Sequence, residues 1–308
     1  MTAPLSASQP PAVSTSDGLF AVRSPATVVE KRSLGSLIWL TLRAPGWPGA
    51  RPGQFAMLQA EDSACFLGRP LSVAQQDGEH VSFLIAPVGA GTRELCALRE
   101  DERAWIFGPL GNGFDLEALT AGPGRTVLVG GGVGAAPFPL LVSALAARVT
   151  EPRAPVSAAP PPEVLVLLGF RDGAQAAGAG PVAAAAALLE ETGICCPGEI
   201  ATEDGSVGRD ERITDTLWRQ VRPGDRLAVC GPWAMTEAIA RVCASLPDLR
   251  VWFSLEAGMA CGVGSCDGCV VPLAGGGQAR VCREGPVFTM EQLFEHGFLG
   301  SREKRSEE

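Results

Sequence analysis

Hydrophobic residues follow two different patterns along the chain, and the change comes near residue 125. Before it, apolar residues occur in short and partly alternating runs that are typical of β-strands. Gly and Pro separate these runs, as in the turn sequences Ala44-Pro-Gly46, Trp47-Pro-Gly49 and Arg51-Pro-Gly53. The predicted strands cover residues 26–30, 37–42, 54–59, 71–74 and 80–86. Many short strands at this spacing predict a small, closed, antiparallel β-barrel.

Beyond residue 125, longer apolar runs alternate with helix-like segments. The runs at 126–130, 164–169 and 226–231 are rich in Val, Leu and Gly and predict buried strands. Strands that alternate with helices favour an open parallel sheet. The predicted helices cover residues 181–192, 213–221 and 234–244, with a further apolar helix after residue 137. The predicted fold class is therefore a multidomain α+β protein, with an antiparallel barrel followed by an α/β domain with a parallel sheet.

The stretch 126–147 carries no charge and is long enough to cross a bilayer. It also contains four glycines and two prolines, which fit a strand, a glycine turn and a buried helix better than a membrane helix. The alanine-rich run 183–189 is short and is predicted to be a soluble helix. We therefore predict no membrane span.

Composition narrows the class of protein. The 308 residues are 46% hydrophobic and 19% charged, which is typical of a globular chain of two or more domains. The net charge of −9 comes without a basic stripe, which argues against a nucleic-acid partner. Ten cysteines without a leader sequence predict a reducing, cytoplasmic location. Residues 1–18 are predicted to be a disordered extension, 149–162 a Pro/Ala-rich insert without assigned function, and 301–308 a frayed tail.

Four cysteines near the end of the chain carry the most specific pattern. Cys261, Cys266 and Cys269 follow the spacing C-x4-C-x2-C, and Cys282 comes after twelve intervening residues. This is the ligand spacing of plant-type [2Fe–2S] ferredoxins. A zinc site also takes four thiolates but usually pairs them in two short knuckles, and a disulfide pair is disfavoured in a reducing compartment.

Glycines in the same loop suit a backbone that folds tightly around an inorganic core. Gly262, Gly264 and Gly268 are predicted to supply positive φ angles, close backbone approach and N–H groups aimed at sulfur. The remaining cysteines show no ligand spacing and are predicted to be structural or incidental, and two isolated histidines have no visible partner for general-base chemistry. These residues are Cys65, Cys96, Cys195, Cys196, Cys243, His80 and His296.

Two motifs in the barrel region are candidates for binding phosphate. Arg69-Pro-Leu-Ser72 precedes a predicted strand, and the planar fork of an arginine matches phosphate oxygens. Gly89-Ala-Gly-Thr92 leads into a predicted helix at 93–98, where N–H groups at the helix start attract phosphate. Each motif has a simpler interpretation, because a surface arginine is usually only solvated and Thr92 could cap the helix.

Two motifs in the second half follow predicted strands. Gly130-Gly-Gly-Val-Gly-Ala-Ala-Pro137 lies between a strand and a helix, where a dinucleotide would place its phosphates. Its terminal Pro departs from the ordinary G-x-G-x-x-G fingerprint. Cys230-Gly-Pro232 follows another strand, although Cys230 could equally be a small buried hydrophobic residue.

Together these motifs resemble the ferredoxin-reductase superfamily, and within it the electron-transfer subunits of NAD-linked bacterial dihydroorotate dehydrogenases. The resemblance covers about residues 20 to 290. The sequences that carry it, besides the cysteine loop, are Gly108-Pro-Leu-Gly-Asn-Gly-Phe114, Leu128-Val-Gly-Gly-Gly-Val-Gly134, Leu168-Gly-Phe170, Asp204-Gly-Ser-Val-Gly208, Cys230-Gly-Pro232 and Val281-Cys-Arg-Glu-Gly-Pro-Val-Phe288.

The resemblance implies three cofactors and a domain for each: an FAD-binding barrel at 19–120, an NAD-binding domain at 121–250 and a small [2Fe–2S] loop domain at 251–300. The residues implied to bind FAD are Arg69, Pro70, Leu71, Ser72, Leu84, Ile85, Ala86, Gly91 and Thr92. Those implied to bind NAD are Gly131, Gly132, Gly134, Cys230, Gly231 and Pro232. The implied cluster ligands are Cys261, Cys266, Cys269 and Cys282.

Two positions depart from the wider superfamily. An arginine often stands where this chain has Ala86, so one phosphate contact is missing. Related reductases place an aromatic residue at the position of Leu71, and this chain contains no tyrosine. Dihydroorotate-linked members usually have an aliphatic residue there, so Leu71 favours that narrower group.

The function implied is an electron relay in pyrimidine biosynthesis. A partner subunit would oxidise dihydroorotate on FMN, and electrons would pass through the cluster and FAD to NAD+ in a hetero-oligomer expected to be a heterotetramer. The chain itself would need no catalytic acid or base. A second hypothesis is an NAD(P)H reductase subunit of a sulfide dehydrogenase, a hydrogenase or a ferredoxin-linked transhydrogenase complex. A third is a zinc-binding interaction module without flavin.

Overall fold

The structure is a computed structural model, and it describes residues 13–14, 20–122, 124–150 and 163–294. Most of the predicted N-terminal extension and Pro/Ala-rich insert, the predicted tail and His296 lie outside these residues. Two residues of the extension, Val13–Ser14, pair with a strand that begins at Phe20, so the prediction of disorder does not hold at those two positions.

Eight strands and two helices form the first part of the chain. They are β1 (Val13–Ser14), β2 (Phe20–Leu34), β3 (Leu37–Arg43), β4 (Phe55–Ala60), β5 (Arg69–Ser72), β6 (Gln75–Asp77), β7 (His80–Ile85), α1 (Ala90–Ala97), β8 (Arg103–Leu110) and α2 (Leu116–Thr120). All paired strands are antiparallel, in the order β5-β4-β8-β2-β3-β7-β6, with β1 added to β2.

The ladder of this first sheet does not close by itself, which corrects the prediction of a closed barrel. Its two end strands, β5 and β6, are instead joined through the chain by Val73 and Ala74. The Val73 N–H donates to the Gln54 carbonyl at 3.0 Å, and the Ala74 N–H donates to the Ser82 carbonyl at 2.9 Å. The sheet therefore curls until its ends meet, and the fully buried side chains that fill it are Leu40, Leu58, Phe83, Ile85 and Ile106.

The strands in this sheet are longer and more numerous than the sequence predicts. β2 runs for 15 residues, because a bulge between Val28 and Glu30 lets one strand pair with both β3 and β8. β8 is missing from the prediction, since its Gly108-Pro109 step resembles a turn although the strand continues through it. The predicted helix at 93–98 begins three residues earlier, at Ala90.

The second part of the chain alternates strands and helices as predicted. Its elements are β9 (Thr126–Gly131), α3 (Phe138–Thr150), β10 (Val164–Phe170), α4 (Gly173–Ala176), α5 (Gly180–Glu191), β11 (Gly198–Thr202), β12 (Arg209–Asp210), α6 (Ile213–Gln220), β13 (Arg226–Cys230), α7 (Trp233–Ala244) and β14 (Arg250–Ser254). These six strands are parallel, in the order β12-β11-β10-β9-β13-β14.

Helices cover both faces of this sheet, which is why its central strands are apolar throughout. Leu141 of α3 and Leu189 of α5 pack with buried residues of one face. Leu217 of α6 and Ile239 of α7 pack with those of the other face. Because the strands are parallel, their carboxyl ends share one edge of the sheet, where ligands of such folds bind.

A buried ion pair lies at the opposite edge of this sheet, where strands β9 and β13 begin. The Arg125 guanidinium donates two hydrogen bonds to the Asp225 carboxylate, at 3.1 and 2.7 Å. The neighbouring Arg226 donates to the carbonyls of Leu119, Ala121 and Gly124, in the segment that links the two sheets. This network fixes the linking segment against the start of β13.

The last part of the chain leaves the second sheet and returns to it. It contains β15 (Val270–Pro272), β16 (Gln278–Arg280), β17 (Val287–Thr289) and α8 (Met290–Leu293). β15 and β16 form a separate hairpin, whereas β17 pairs antiparallel with β14 and becomes the seventh strand of the second sheet. The predicted limit between residues 250 and 251 therefore falls inside β14.

Among the helices formed by the described residues, none has the length and apolar character needed to span a bilayer. The uncharged stretch 126–147 forms β9, a short 3-10 turn at Gly132–Ala135 and most of α3.

Candidate cofactor sites

A cavity of about 420 Å³ lies where the two sheets and the cysteine region meet. The predicted FAD residues that line it are Pro70, Leu71, Ser72, Leu84, Ala86 and Thr92. Strand β5 and the end of β7 supply most of them, so one wall of the cavity belongs to the first sheet. Ile85 lies between two cavity residues, but its own side chain points into the core of the first sheet and is fully buried.

Arg69 and Gly91 meet at the edge of this cavity. A side chain at Gly91 would place its Cβ 2.2 Å from the Arg69 Nε, so the arginine lies directly across the first turn of α1. The first turn of α1 contains no acidic residue. A guanidinium beside the N–H groups of a helix start is an arrangement that can bind an anion such as phosphate.

Thr92 serves the helix as well as the cavity. Its hydroxyl accepts from the Gly89 N–H at 2.9 Å and donates to the Gly89 carbonyl at 3.1 Å. The predicted helix cap is therefore present, and the same residue lines the cavity. The two interpretations of this motif are compatible.

The opposite wall of the cavity comes from the second sheet and from the chain beyond it. Cys230 ends β13, Ser254 ends β14, and Pro286 precedes β17. Glu256, two residues after β14, is the one carboxylate among the residues that line this cavity. Glu256 is an exposed residue that faces the cavity, and partial desolvation by the surrounding protein raises its pKa. The sequence signal for Glu256 was its place just after a buried strand.

Cys230 faces this first cavity rather than the second one. Burial, and the nearby charge of Glu256, raise the pKa of its thiol far above the ordinary value, so it stays protonated. A neutral thiol in this wall of the cavity could make a small, uncharged contact with the flat ring of a cofactor.

A second cavity, of about 400 Å³, lies at the carboxyl edge of the parallel sheet. Three predicted NAD residues line it, namely Gly131, Gly132 and Pro232. Its charged residues are Arg171, Glu203 and Arg212. No sequence motif marks them, because they come from loops after β10 and β11 and from the start of α6.

Gly134 and Gly231 bring two turns at this edge into close contact. A Cβ at Gly134 would lie 2.3 Å from the Cys230 carbonyl oxygen and 2.7 Å from the Gly231 Cα. A Cβ at Gly231 would lie 2.4 Å from the Met235 Cε. Gly134 is therefore required by packing against backbone, whereas Met235 is a flexible side chain that could move away from Gly231. Gly134 sets the separation of the two turns that border both cavities.

We expect Gly134→Ala to disturb the nicotinamide site more than the fold. The added methyl must push the turn after β9 away from the end of β13, which costs about 1–3 kcal/mol of overpacking. The KM for NADH should rise about tenfold, which is what 1.4 kcal/mol gives. Steady-state NADH oxidation with an artificial acceptor measures this.

Gly180→Ala is the matched control, since nothing lies within 4 Å of the position that a Cβ would take there. Its KM should equal that of the unaltered protein, and its stability should be unchanged or slightly higher. An unchanged KM in Gly134→Ala would mean that the two turns can separate without affecting the site.

The four predicted ligand cysteines come together in two pairs. The thiols of Cys261 and Cys266 lie within hydrogen-bonding reach of each other, and so do those of Cys269 and Cys282. Among the described residues, no three His, Cys, Asp or Glu side chains surround a single metal-ion position. A [2Fe–2S] cluster takes two protein ligands on each iron, so the paired thiols fit this cluster.

Backbone N–H groups point at the sulfurs of this loop. Val263 and Ser265 donate to the Cys261 sulfur at 3.5 and 3.3 Å, and Gly264 donates to the Cys282 sulfur at 3.1 Å. Burial acts to raise the pKa of Cys261. The bonds from Val263, Ser265 and Cys266 to its sulfur outweigh burial and lower the pKa to about 7. Such donors stabilise thiolates, which are the form that binds iron.

Gly262 and Gly264 have φ angles of +71° and +78°, as predicted. Gly268 does not, which corrects the prediction; the positive angle falls on the preceding Asp267, at +49°. A Cβ at Gly268 would make only an ordinary contact, 3.5 Å from the Cys266 sulfur. Its role in the loop is therefore not conformational.

The two thiol pairs differ in their surroundings. Cys269 and Cys282 are buried against Met57 and Leu110 of the first sheet. Cys261 is half-buried and Cys266 is exposed. One side of the candidate cluster site therefore faces the protein interior, and the other faces outwards.

Comparisons with known proteins agree with this geometry. A family model described as the iron–sulfur cluster binding domain of dihydroorotate dehydrogenase B matches residues 256–294, which include all four cysteines. The electron transfer subunit of dihydroorotate dehydrogenase B (NAD(+)) from Listeria monocytogenes is 33% identical over 249 residues, 80% of this chain and 88% of that protein. This chain belongs to the family of these electron-transfer subunits. The subunit from Geobacillus thermodenitrificans is 37% identical over 244 residues, 77% of this chain and 84% of that protein.

Solved structures similar to this electron-transfer subunit agree on the fold. An NADH-dependent reduced ferredoxin–NADP oxidoreductase matches with a TM-score of 0.68 and 24% identity, over 89% of this chain and 91% of that one. A ferredoxin–NADP+ reductase from Neisseria gonorrhoeae matches with a TM-score of 0.57 and 14% identity, over 73% of this chain and 91% of that one. These structures show a ferredoxin-reductase-like fold, and the sequence relatives confirm the predicted dihydroorotate-linked family.

Proposed function

We propose that this electron-transfer subunit carries electrons from an FMN-containing dihydroorotate dehydrogenase catalytic subunit to NAD+. The cysteine loop would hold a [2Fe–2S] cluster, the first cavity FAD, and the second cavity the NAD. When bound, the cluster exchanges single electrons, the nicotinamide exchanges a hydride, and the flavin converts between the two.

The observation that carries this proposal is the convergence of three predicted sites on one cavity. Ser72 represents the flavin motif and Cys230 the dinucleotide edge. Pro286 stands four residues after the cluster ligand Cys282. Electron transfer needs the cluster, the flavin and the nicotinamide close together, and motifs without a common function would not be expected to share one cavity.

The residues of this chain have positioning tasks in the proposal. Arg69 and the start of α1 bind the pyrophosphate of FAD. Leu71 and Leu84 give the flavin ring an apolar wall, and Ser72 offers a hydroxyl beside it. Gly131 and Gly132 leave the backbone at the sheet edge open for a dinucleotide. None of these tasks requires a catalytic acid or base.

The partner supplies what this chain does not provide. The described residues form two sheets and a cysteine loop, and oxidation of dihydroorotate is assigned to the catalytic subunit with its FMN. We further propose a two-plus-two heterotetramer in the cytoplasm. The acidic net charge of −9 is consistent with a soluble protein partner rather than nucleic acid.

The test is dihydroorotate-dependent NADH formation by this subunit together with the catalytic subunit from the same organism. NADH should form only when both are present, and the two should co-purify. A brown flavoprotein that oxidises NADH with artificial acceptors but never couples to dihydroorotate would refute the partner. That outcome would favour the reductase subunit of a sulfide dehydrogenase, a hydrogenase or a ferredoxin-linked transhydrogenase.

A further inference from the structure

A five-residue segment, 282–286, joins the candidate cluster site to the candidate flavin site. It begins at the ligand Cys282, which is buried, and ends at Pro286, which lines the first cavity. Its four steps span at most about 14 Å even when fully extended. We call this segment the bridge. A second and shorter link, from Met259 to Cys261, joins a ligand on the outward-facing side to the same cavity, whereas the bridge starts from a buried ligand.

One side chain from the loop after β8, that of Asn112, holds the bridge and the residue after it. The Asn112 Nδ2 donates to the Glu284 carbonyl at 3.0 Å and to the Val287 carbonyl at 2.8 Å. The Asn112 Oδ1 accepts from the Val287 N–H at 2.9 Å. The Asn112 N–H also donates to the Gly285 carbonyl, at 2.6 Å. A carboxamide is needed here because it donates and accepts at once.

The backbone around Asn112 is shaped for this contact. Gly111 has a φ of +72°, and a Cβ there would lie 2.5 Å from the Pro286 Cδ. The two segments therefore approach as closely as backbones can. Asn112 is also the only asparagine in the 308 residues. The Gly108-Pro-Leu-Gly-Asn-Gly-Phe114 motif thus has a physical role that its sequence alone did not reveal.

The bridge keeps a second anchor that does not involve Asn112. The Leu255 N–H donates to the Pro286 carbonyl at 2.9 Å, and β17 pairs with β14 immediately afterwards. Removing the Asn112 side chain would therefore take away its bonds to Glu284 and Val287 but leave the backbone bond to the Gly285 carbonyl and the pairing of β17 in place. The expected disturbance is a local displacement rather than unfolding.

We propose that Asn112 is a positioning residue for electron transfer between the cluster and the flavin. This inference rests on the proposed function. Asn112 touches neither ligand site itself; it fixes the bridge, and thereby the separation between Cys282 and the flavin cavity. Electron tunnelling weakens steeply with distance, so a small displacement of the bridge should slow that one step and leave hydride transfer unchanged.

The test compares the two steps in the protein loaded with FAD and cluster. NADH is mixed anaerobically with the unaltered protein and with Asn112→Ala, and flavin and cluster absorbance are followed separately in a stopped-flow instrument. A displaced bridge lengthens the tunnelling path, and we expect a severalfold slower reduction of the cluster. The rate of flavin reduction should stay the same.

Two further variants separate positioning from simple destabilisation. Asn112→Asp keeps the size and the acceptor for the Val287 N–H but loses both donors, so it should slow the same step. Thr289→Ala removes the helix cap that accepts from the Gln292 N–H, close to the bridge in the chain but without contact to it. It should leave both steps unchanged.

Two readouts do not depend on turnover. Hydrogen exchange at the Val287 amide should accelerate in Asn112→Ala and not in Thr289→Ala. Iron content, FAD content and the electron paramagnetic resonance g values of the reduced cluster should match those of the unaltered protein, because no ligand has changed.

Equal rates of cluster reduction in the unaltered protein and in Asn112→Ala, with both cofactors bound, would overturn the inference alone. A slower rate that only follows loss of iron would also overturn it. Failure of the proposed function looks different, since NADH would then fail to reduce the cluster in the unaltered protein.

Discussion

Cys269→Ala is expected to abolish dihydroorotate-dependent NADH formation by the assembled enzyme. Cys269 is buried, its thiol lies beside that of Cys282, and its sulfur accepts from the Cys282 N–H at 3.4 Å. Alanine leaves one iron of the cluster with a single protein ligand. Loss of outer-shell partners alone costs about 10–100-fold at metal sites, so loss of a ligand should exceed about a hundredfold.

The measurement has three parts: iron content, the visible spectrum and the coupled rate with the catalytic subunit. NADH oxidation by an acceptor that takes electrons from flavin should survive, because the cavities proposed for FAD and NAD are built from other residues. Cys195→Ala is the control, since Cys195 is exposed and outside the ligand spacing. Full coupled activity in Cys269→Ala after loss of iron would show that the cluster is not on the route.

Arg69→Ala is expected to weaken FAD binding about 10- to 100-fold. A hydrogen bond to a charged group contributes about 1.5–3 kcal/mol, and 1.4 kcal/mol is a factor of ten. The loss should be at the upper end, because the position of Ala86 supplies no second cation. Fluorescence titration of the flavin-free protein with FAD gives the dissociation constant.

Arg93→Ala provides the matched comparison for Arg69→Ala. Arg93 lies on α1, the helix that Arg69 faces. It is exposed and donates to the Val88 carbonyl at 3.2 Å. Its removal takes away the same charge at nearly the same place and should change FAD affinity less than about twofold, because surface charges contribute little. Equal losses in both variants would show that Arg69 acts only through general charge.

The sequence predicts the parts that depend on local chemistry. The central strands at β9, β10 and β13 end within one residue of their predictions, since a buried parallel strand needs a continuous apolar run. The cysteine spacing predicts the ligand set, and the structure brings those thiols together in pairs.

The parts that were missed depend on distant segments. Glu256 and Pro286 reach the first cavity only because β14 and β17 are neighbours in the second sheet. Asn112 lies more than 170 positions before the bridge that it holds. No local pattern encodes such contacts, and β8 was missed because its glycine and proline resemble a turn while its neighbours in the sheet keep it extended.

The return of β17 to β14 has a consequence for how this protein is assembled. The chain leaves the second sheet at Ser254 and re-enters it at Val287, and these two residues are direct partners across the strand pair. Partners in an antiparallel pair stand only about 4.5–5.5 Å apart. The segment between them is therefore an insertion whose two ends lie next to each other. Its length and content can change without altering the strand order of the sheet, so a one-electron module can be joined to a two-electron reductase through one strand pair, with Asn112 holding it from the first part of the chain.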